Sequence, residues 1–228
     1  MFKWKEIASL AIAALTLGYL LSFIGISWIS WLSMSGLAFI MLFVHHMGQK
    51  LSAWFYDCSA EIDLWTVKQI GFAKSHHFPF YFPMWLALPV LLIITTLGYA
   101  KWLAITIFDA APLPSRIERR FTELTEWHLA LIAVGGLMFN TILAIISSSL
   151  GFQQFAMLNL TFIIFNLIPF STFDGNKIFF GSPMLWIFCL IFTVVMMLLI
   201  GSVSIAGTIA ASVMTGLAAV LLYYSLYR

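Results

Sequence analysis

Two adjacent histidines and a glutamine interrupt an apolar stretch of the chain, where polar side chains are costly. His45 and His46 follow the run MLFV at 41–44, and Gln49 comes shortly after them. On a helix, side chains four positions apart share one face, and two histidines so spaced can hold zinc while a glutamate after the first acts as general base. Here His46 stands at the glutamate position and Gln49 at the second histidine position. The spacing therefore indicates a zinc-hydrolase helix with two of its three chemical residues replaced.

A second motif lies much later in the chain. Residues 166–175 read NLIPFSTFDG, and the spaced residues of this motif are Asn166, Pro169, Asp174 and Gly175. The order of the two motifs resembles the site-2 protease family of intramembrane zinc metalloproteases, especially its archaeal members, in which an HExxH helix precedes an NxxPxxxxDG segment. The resemblance implies that Asp174 is the third metal ligand. It also implies structural or substrate-binding roles for Pro169 and Gly175.

A third motif lies between these two. The sequence GGLMFN at 135–140 is similar to the GPxxN signature of the family, with Gly136 at the proline position. The resemblance extends from about Ala38 to about Trp186. It implies that Asn140 and Asn166 hold substrate backbone or order the site. From the residues alone, asparagines in apolar helices more often donate hydrogen bonds to neighbouring helices.

The resemblance implies a metal site formed by His45, Gln49 and Asp174, with zinc as the cofactor. Glutamine is a weak, neutral ligand, so this set should bind zinc far less well than two histidines and an aspartate. We therefore expect zinc binding to be weakened or lost. His46 takes the place of the general base, because imidazole titrates near neutral pH; it should point away from Gln49. Asp174 has a second interpretation, as a cap of the next helix or a partner of either histidine.

The composition is that of a membrane protein. Of the 228 residues, 62% are hydrophobic and only 9% are charged, whereas soluble domains carry about 25% charged residues. The net charge of +2 comes without a basic stripe, which argues against nucleic-acid binding. Cys58 and Cys189 form neither a disulfide framework nor a CxxC metal site. We predict an all-α polytopic protein in which residues 1–228 form a single membrane-embedded domain with its core at 36–200.

The apolar runs predict about six transmembrane helices, each long enough to cross the hydrocarbon layer. Their expected bounds are about 6–30, 36–56, 127–150, 155–169, 184–200 and 203–226, with a turn at 33–35 between the first two. A polar cytoplasmic loop follows the second helix and should hold a short strand at 62–67. Residues 82–108 are apolar but too few for two crossings, so we expect a re-entrant hairpin or an interfacial pair, broken near Gly98.

The positive charges predict the orientation. Arg116, Arg119 and Arg120 precede the helix at 127–150, and cytoplasmic loops are enriched in Lys and Arg. This places both termini in the cytoplasm and His45 and Asp174 at a similar depth in the cell membrane.

Three functions stay open. The first is a catalytically impaired or inactive homologue, a pseudoprotease, whose partners are transmembrane or membrane-proximal protein segments within the lipid bilayer. The second is an active intramembrane zinc metalloendopeptidase with an atypical His45, Gln49 and Asp174 site and His46 as base. The loss of glutamate at position 46 favours the first. A small transporter is a third, less supported interpretation, because the chain shows no internal repeat.

Overall fold

The computed structural model describes residues 2–24, 27–69, 77–113 and 124–226. The elements in chain order are α1 (Trp4–Ser22), α2 (Trp28–Phe55), β1 (Cys58–Leu64), β2 (Val67–Gln69), β3 (His77–Phe82), α3 (Met84–Thr96), β4 (Thr106–Pro112), α4 (Glu126–Ser149), α5 (Gln153–Asn166), α6 (Asp174–Gly181), α7 (Pro183–Leu199) and α8 (Ile205–Leu226). The described part of the chain is thus mostly helical, as predicted, with a few short strands. The arginines used to predict the orientation, Arg116, Arg119 and Arg120, lie outside the described residues.

Four helices of the described ranges are long and apolar enough to cross a membrane. These are α1, α2, α4 and α8. The apolar helices α5 and α7 are shorter, with 14 and 17 residues. The predicted bounds of α4, α7 and α8 agree with the structure to within about two residues, because each is one uninterrupted apolar run.

The first interhelical turn was predicted at the wrong place. Residues 33–35 lie inside α2, which already begins at Trp28. Within the helix, Ser33 Oγ donates to the Ile29 carbonyl at 2.7 Å and Ser35 Oγ to the Trp31 carbonyl at 2.8 Å. A serine that bonds back to its own helix is tolerated in an apolar helix, so these serines did not mark a turn.

The segment 82–108 breaks near Gly98, as expected, but its second arm is not a helix. Helix α3 ends where Leu97 and Gly98 adopt positive φ angles of 53° and 85°. The following backbone is extended and ends in β4, which pairs with β1 in a two-stranded sheet. The second arm is extended because its backbone bonds to the polar loop: Trp65 N donates to the Ile105 carbonyl at 2.9 Å.

The short strand predicted at 62–67 is displaced. Strand β1 begins earlier, at Cys58, and ends at Leu64, and Val67 opens a second strand that pairs antiparallel with β3. Trp65 separates the two strands, because its side chain is fully buried and its backbone N–H and carbonyl bond to Ile105 and Trp85.

The chain divides into two compact units. The first comprises residues up to Leu42 and from Ile62 to Ile107. In it, α1 approaches the first half of α2 so closely that a Cβ on Gly18 would lie 2.6 Å from the backbone nitrogen of Ser35. The buried carboxylate of Glu6 accepts hydrogen bonds from Lys3 N at 2.6 Å and Ile62 N at 3.1 Å.

The second unit comprises Phe43–Glu61 and the chain from Phe108 onward. Helix α4 packs against α5 and α6, and α7 packs against α8. Its buried core includes Phe108, Ile132, Leu137, Leu160, Ile163, Leu167 and Ile178. All predicted site residues belong to this unit, so they are positioned by one core.

Candidate functional site

The second half of α2 and the first residue of α6 bring three predicted site residues together. His45 and Gln49 share one face of α2, and Asp174 opens α6. His45 Nε2 lies 2.9 Å from Asp174 Oδ2, and Gln49 Nε2 lies 3.0 Å from each Asp174 oxygen. Each of the three residues has less than about 5% of its surface exposed. The cluster is therefore a buried, hydrogen-bonded polar group inside an apolar unit.

The amide of Gln49 stands at the centre of the cluster. Its nitrogen lies 3.0 Å from His45 Nε2 as well as from the Asp174 carboxylate. Since a carboxylate only accepts hydrogen bonds, the amide nitrogen must be the atom that faces Asp174. The amide oxygen then faces the opposite way and lies 2.6 Å from His46 Nδ1. His46 Nδ1 is thus the donor in that pair.

The expected direction of His46 was wrong. The side chain is buried and bonds to Gln49 instead of pointing away from it. Residues three apart on a helix are also neighbours on its surface, and a long glutamine side chain spans the remaining angle. His46 is consequently part of the same polar cluster, with its ring 5.1 Å from that of His45.

Glycines let α4 approach the cluster. A Cβ on Gly136 would lie 2.8 Å from both Gln49 Cγ and His45 Cε1. At a neighbouring point where α2 contacts α4, a Cβ on Gly48 would collide with the carbonyl oxygen of Gly135. Glycine at the position where the family signature has proline therefore brings the α4 backbone directly against the side chains of His45 and Gln49.

The NLIPFSTFDG motif shapes the approach of Asp174 to α2. A Cβ on Gly175 would overlap the backbone of Leu167, so only glycine permits this turn between α5 and α6. Pro169 is exposed and lies in that turn, away from the buried cluster. The predicted loop around Asp174 ends earlier than expected, because Asp174 is already the first helical residue of α6.

The two asparagines differ from each other. Asn166 Nδ2 donates to the Phe162 carbonyl of its own helix at 3.0 Å. We had expected this amide to donate to a neighbouring helix instead. Asn140 is fully buried, and neither its amide oxygen nor its amide nitrogen has a hydrogen-bond partner among the described residues. The same holds for His45 Nδ1. Buried polar atoms are rarely left without a partner, so these atoms have unused binding capacity.

The residues present do not fit zinc in this arrangement. Two ligands of a tetrahedral zinc ion at about 2.1 Å are separated by about 3.4 Å, whereas His45 Nε2 and Asp174 Oδ2 are at hydrogen-bond distance, 2.9 Å. The amide nitrogen of Gln49, which is not a metal ligand, fills the space between them.

Two residues near the cluster were not singled out from the sequence. The ring of Phe162 packs edge-on against His45, with 5.1 Å between the ring centroids. Lys177 follows Asp174 by one turn of α6, and its ammonium lies 3.5 Å from the Phe108 ring centroid. Burial lowers the pKa of the Lys177 amine, and the carboxylates of Asp174 and Asp109 partly offset this. A lysine in an apolar segment beside a predicted ligand was the signal for it.

Comparisons with known protein families, with curated proteins and with solved structures gave no match. The resemblance to the site-2 proteases therefore rests on the three sequence motifs.

Proposed function

We propose that this chain is a site-2-protease-like integral membrane protein that binds transmembrane segments without hydrolysing them. One observation carries the proposal: the Gln49 amide nitrogen lies 3.0 Å from His45 Nε2 and from both Asp174 oxygens. His45 and Asp174 are residues that would hold a zinc ion, and here the Gln49 amide is their shared hydrogen-bond partner. A hydrolase of this class needs a metal-bound water there.

The electrostatics favour the same function. In a metal site, the cation offsets the charge of the aspartate. Here the amide N–H groups of Gln49 and an imidazole N–H of His45 stabilise the Asp174 carboxylate, because hydrogen bonds to charged groups are strong in a buried setting. His46 Nδ1 donates to the Gln49 oxygen, so this nitrogen cannot accept a proton as a general base. The cluster acts as an interhelical connector between α2 and α6.

The site that binds the partner segment includes Asn140 on α4. Asn140 presents a buried donor and a buried acceptor without partners in the described part of the chain, and a peptide group offers the complementary acceptor and donor. Strands β1 and β4 form a two-stranded ribbon, and extended segments can add to the edge of such a ribbon. The partner is therefore an unwound part of a transmembrane or membrane-proximal protein segment.

The proposal includes the membrane arrangement. The four long apolar helices cross the cell membrane, and α5 and α7 complete a set of six spans, with residues 82–108 re-entering the bilayer. Residues 1–228 form one domain with its core at 36–200, and both termini lie in the cytoplasm, on the side to which Lys and Arg are biased.

A direct test is to offer the purified protein a synthetic transmembrane peptide of about 20 leucines and alanines, interrupted centrally by Asn-Pro. We expect the wild type to capture this test peptide in detergent micelles and mass spectrometry to find it intact with zinc present. Fragments that form with the wild type and disappear in His45→Ala would instead favour the active zinc endopeptidase. Equal capture by the wild type and Asn140→Leu would remove the binding site proposed on α4.

A further inference from the structure

The outer edge of strand β4 is occupied by a lysine from the helix that carries Asp174. Leu113 N, just after β4, donates to the Asp57 carbonyl at 3.0 Å, and Ser59 Oγ donates to the Ala111 carbonyl at 3.3 Å. Odd-numbered positions of this strand therefore face β1. Successive backbone carbonyls of a strand point to opposite edges, so Phe108 faces the other edge. The Phe108 carbonyl accepts a hydrogen bond from Lys177 Nζ.

A second contact holds the lysine at Phe108. Its ammonium also lies 3.5 Å from the Phe108 ring centroid, and Phe108 itself is fully buried. Both interactions tie α6 to the same strand residue. Beyond Phe108, the edge continues through Ala110 to Pro112, while Asp109 and Ala111 are exposed. Proline is found on edge strands because it cannot donate to a ladder, which agrees with an edge that no other strand of the described residues uses.

We propose that Lys177 is a removable cap on the outer edge of β4, which an extended segment must displace in order to bind. This inference rests on the proposed function, because it concerns the same segments. A lysine on the edge of a strand blocks unspecific strand pairing. Lys177 therefore selects segments whose backbone pairs with β4 well enough to replace its hydrogen bond to Phe108.

The cap also links the strand edge to the cluster. Lys177 lies one turn after Asp174 on α6, and the field of Asp174 acts on its ammonium.

The experiment introduces p-benzoylphenylalanine at position 110, on the outer edge, and measures photo-crosslinking to the synthetic transmembrane peptide. Lys177→Met should raise capture about tenfold, which is the effect of a lost competing hydrogen bond to a charged donor. Lys177→Gln keeps one donor and should raise capture less, and Lys177→Arg should match the wild type. Lys50→Met is the matched control, because Lys50 Nζ donates to the Ala60 carbonyl of β1 at 2.7 Å; it should leave capture at position 110 unchanged.

If the wild type captures the peptide and both Lys177→Met and Lys177→Gln capture the same amount or less, this inference is overturned. The proposed function then stays intact. An equal rise in Lys50→Met also overturns it, since the effect would then be one of charge alone. Absence of capture in every variant removes the proposed function itself, and this inference with it.

Discussion

The side-chain nitrogen of Gln49 lies 3.0 Å from each carboxylate oxygen of Asp174, a residue 125 positions later in the chain. This pair connects α2 to α6 through an amide and a carboxylate that are both buried. Gln49 supplies hydrogen-bond donors to the aspartate, so both oxygens of the buried carboxylate have a partner.

Loss of the Gln49 donors should destabilise the protein. We expect Gln49→Leu to lower the free energy of unfolding by about 1.5–3 kcal/mol, the range for hydrogen bonds to a charged group. Gln153→Leu is the control, because Gln153 donates to the neutral Ile200 carbonyl at 2.7 Å and accepts from Ser148 Oγ at 2.9 Å. Each of these two neutral hydrogen bonds should contribute about 0.5–1.5 kcal/mol. Denaturation by SDS in mixed micelles measures both. Equal losses would show that the charge of Asp174 contributes nothing.

Gly136 should be intolerant of even one methyl group. Gly136→Ala places a Cβ 2.8 Å from both His45 and Gln49 side-chain atoms, and such overpacking costs about 1–3 kcal/mol. Gly36→Ala provides the comparison, since a Cβ there meets nothing within 4 Å and alanine favours a helix interior by about 0.5–1 kcal/mol. Opposite shifts of the melting temperature in detergent are expected. A stabilised Gly136→Ala protein would mean that α4 does not approach the cluster as described.

Asn140 should lower the free energy of unfolding, although it contributes to binding of the transmembrane peptide. Asn140→Leu removes a buried amide without partners among the described residues and should raise the free energy of unfolding by about 1 kcal/mol, because an unsatisfied buried polar group is unfavourable. Capture of the synthetic transmembrane peptide should fall about tenfold. A variant that is both less stable and equally able to capture the peptide would assign Asn140 a structural role only.

Lys177 should make stability depend on pH. It lies outside the four long apolar helices, and burial lowers the pKa of its amine. The folded protein therefore binds this proton less tightly than the unfolded chain, and the free energy of unfolding should rise with pH toward the ordinary lysine value of about 10.4. SDS denaturation between about pH 8 and about pH 10 should show this slope in the wild type and lose it in Lys177→Met. The exposed Lys68→Met control should keep the slope; identical slopes in all three proteins would refute the assignment.

The long apolar helices were predictable from the sequence, whereas the irregular segments were not. Helices α4, α7 and α8 follow from continuous apolar runs bounded by polar or glycine residues. The turn after α1 was misplaced because serines that bond to their own helix look like turn residues in a sequence. The second arm of 82–108 is extended because β4 pairs with β1, a long-range contact that no local pattern contains.

The sequence predicted which residues of the candidate site lie together, but not how their side chains are oriented. The spacing of His45 and Gln49 and the Asp174 motif led us to expect that these residues converge, and the structure brings them together. The direction of the Gln49 amide depends on all three partners at once and could not be derived from spacing. The direction of His46 was wrong for the same reason, since its partner is the far end of that amide. Their roles in chemistry stay predictions.

Zinc content tests the central claim most directly. The wild type and the His46→Glu, Gln49→His double variant would be purified, incubated with zinc, freed of excess metal and analysed by elemental mass spectrometry, with Asp174→Ala added to each as a control. We predict that the wild type retains far less than one zinc per chain, whereas the double variant retains close to one and loses it on Asp174→Ala. Near-stoichiometric zinc in the wild type that disappears on Asp174→Ala would contradict the proposed metal-free function.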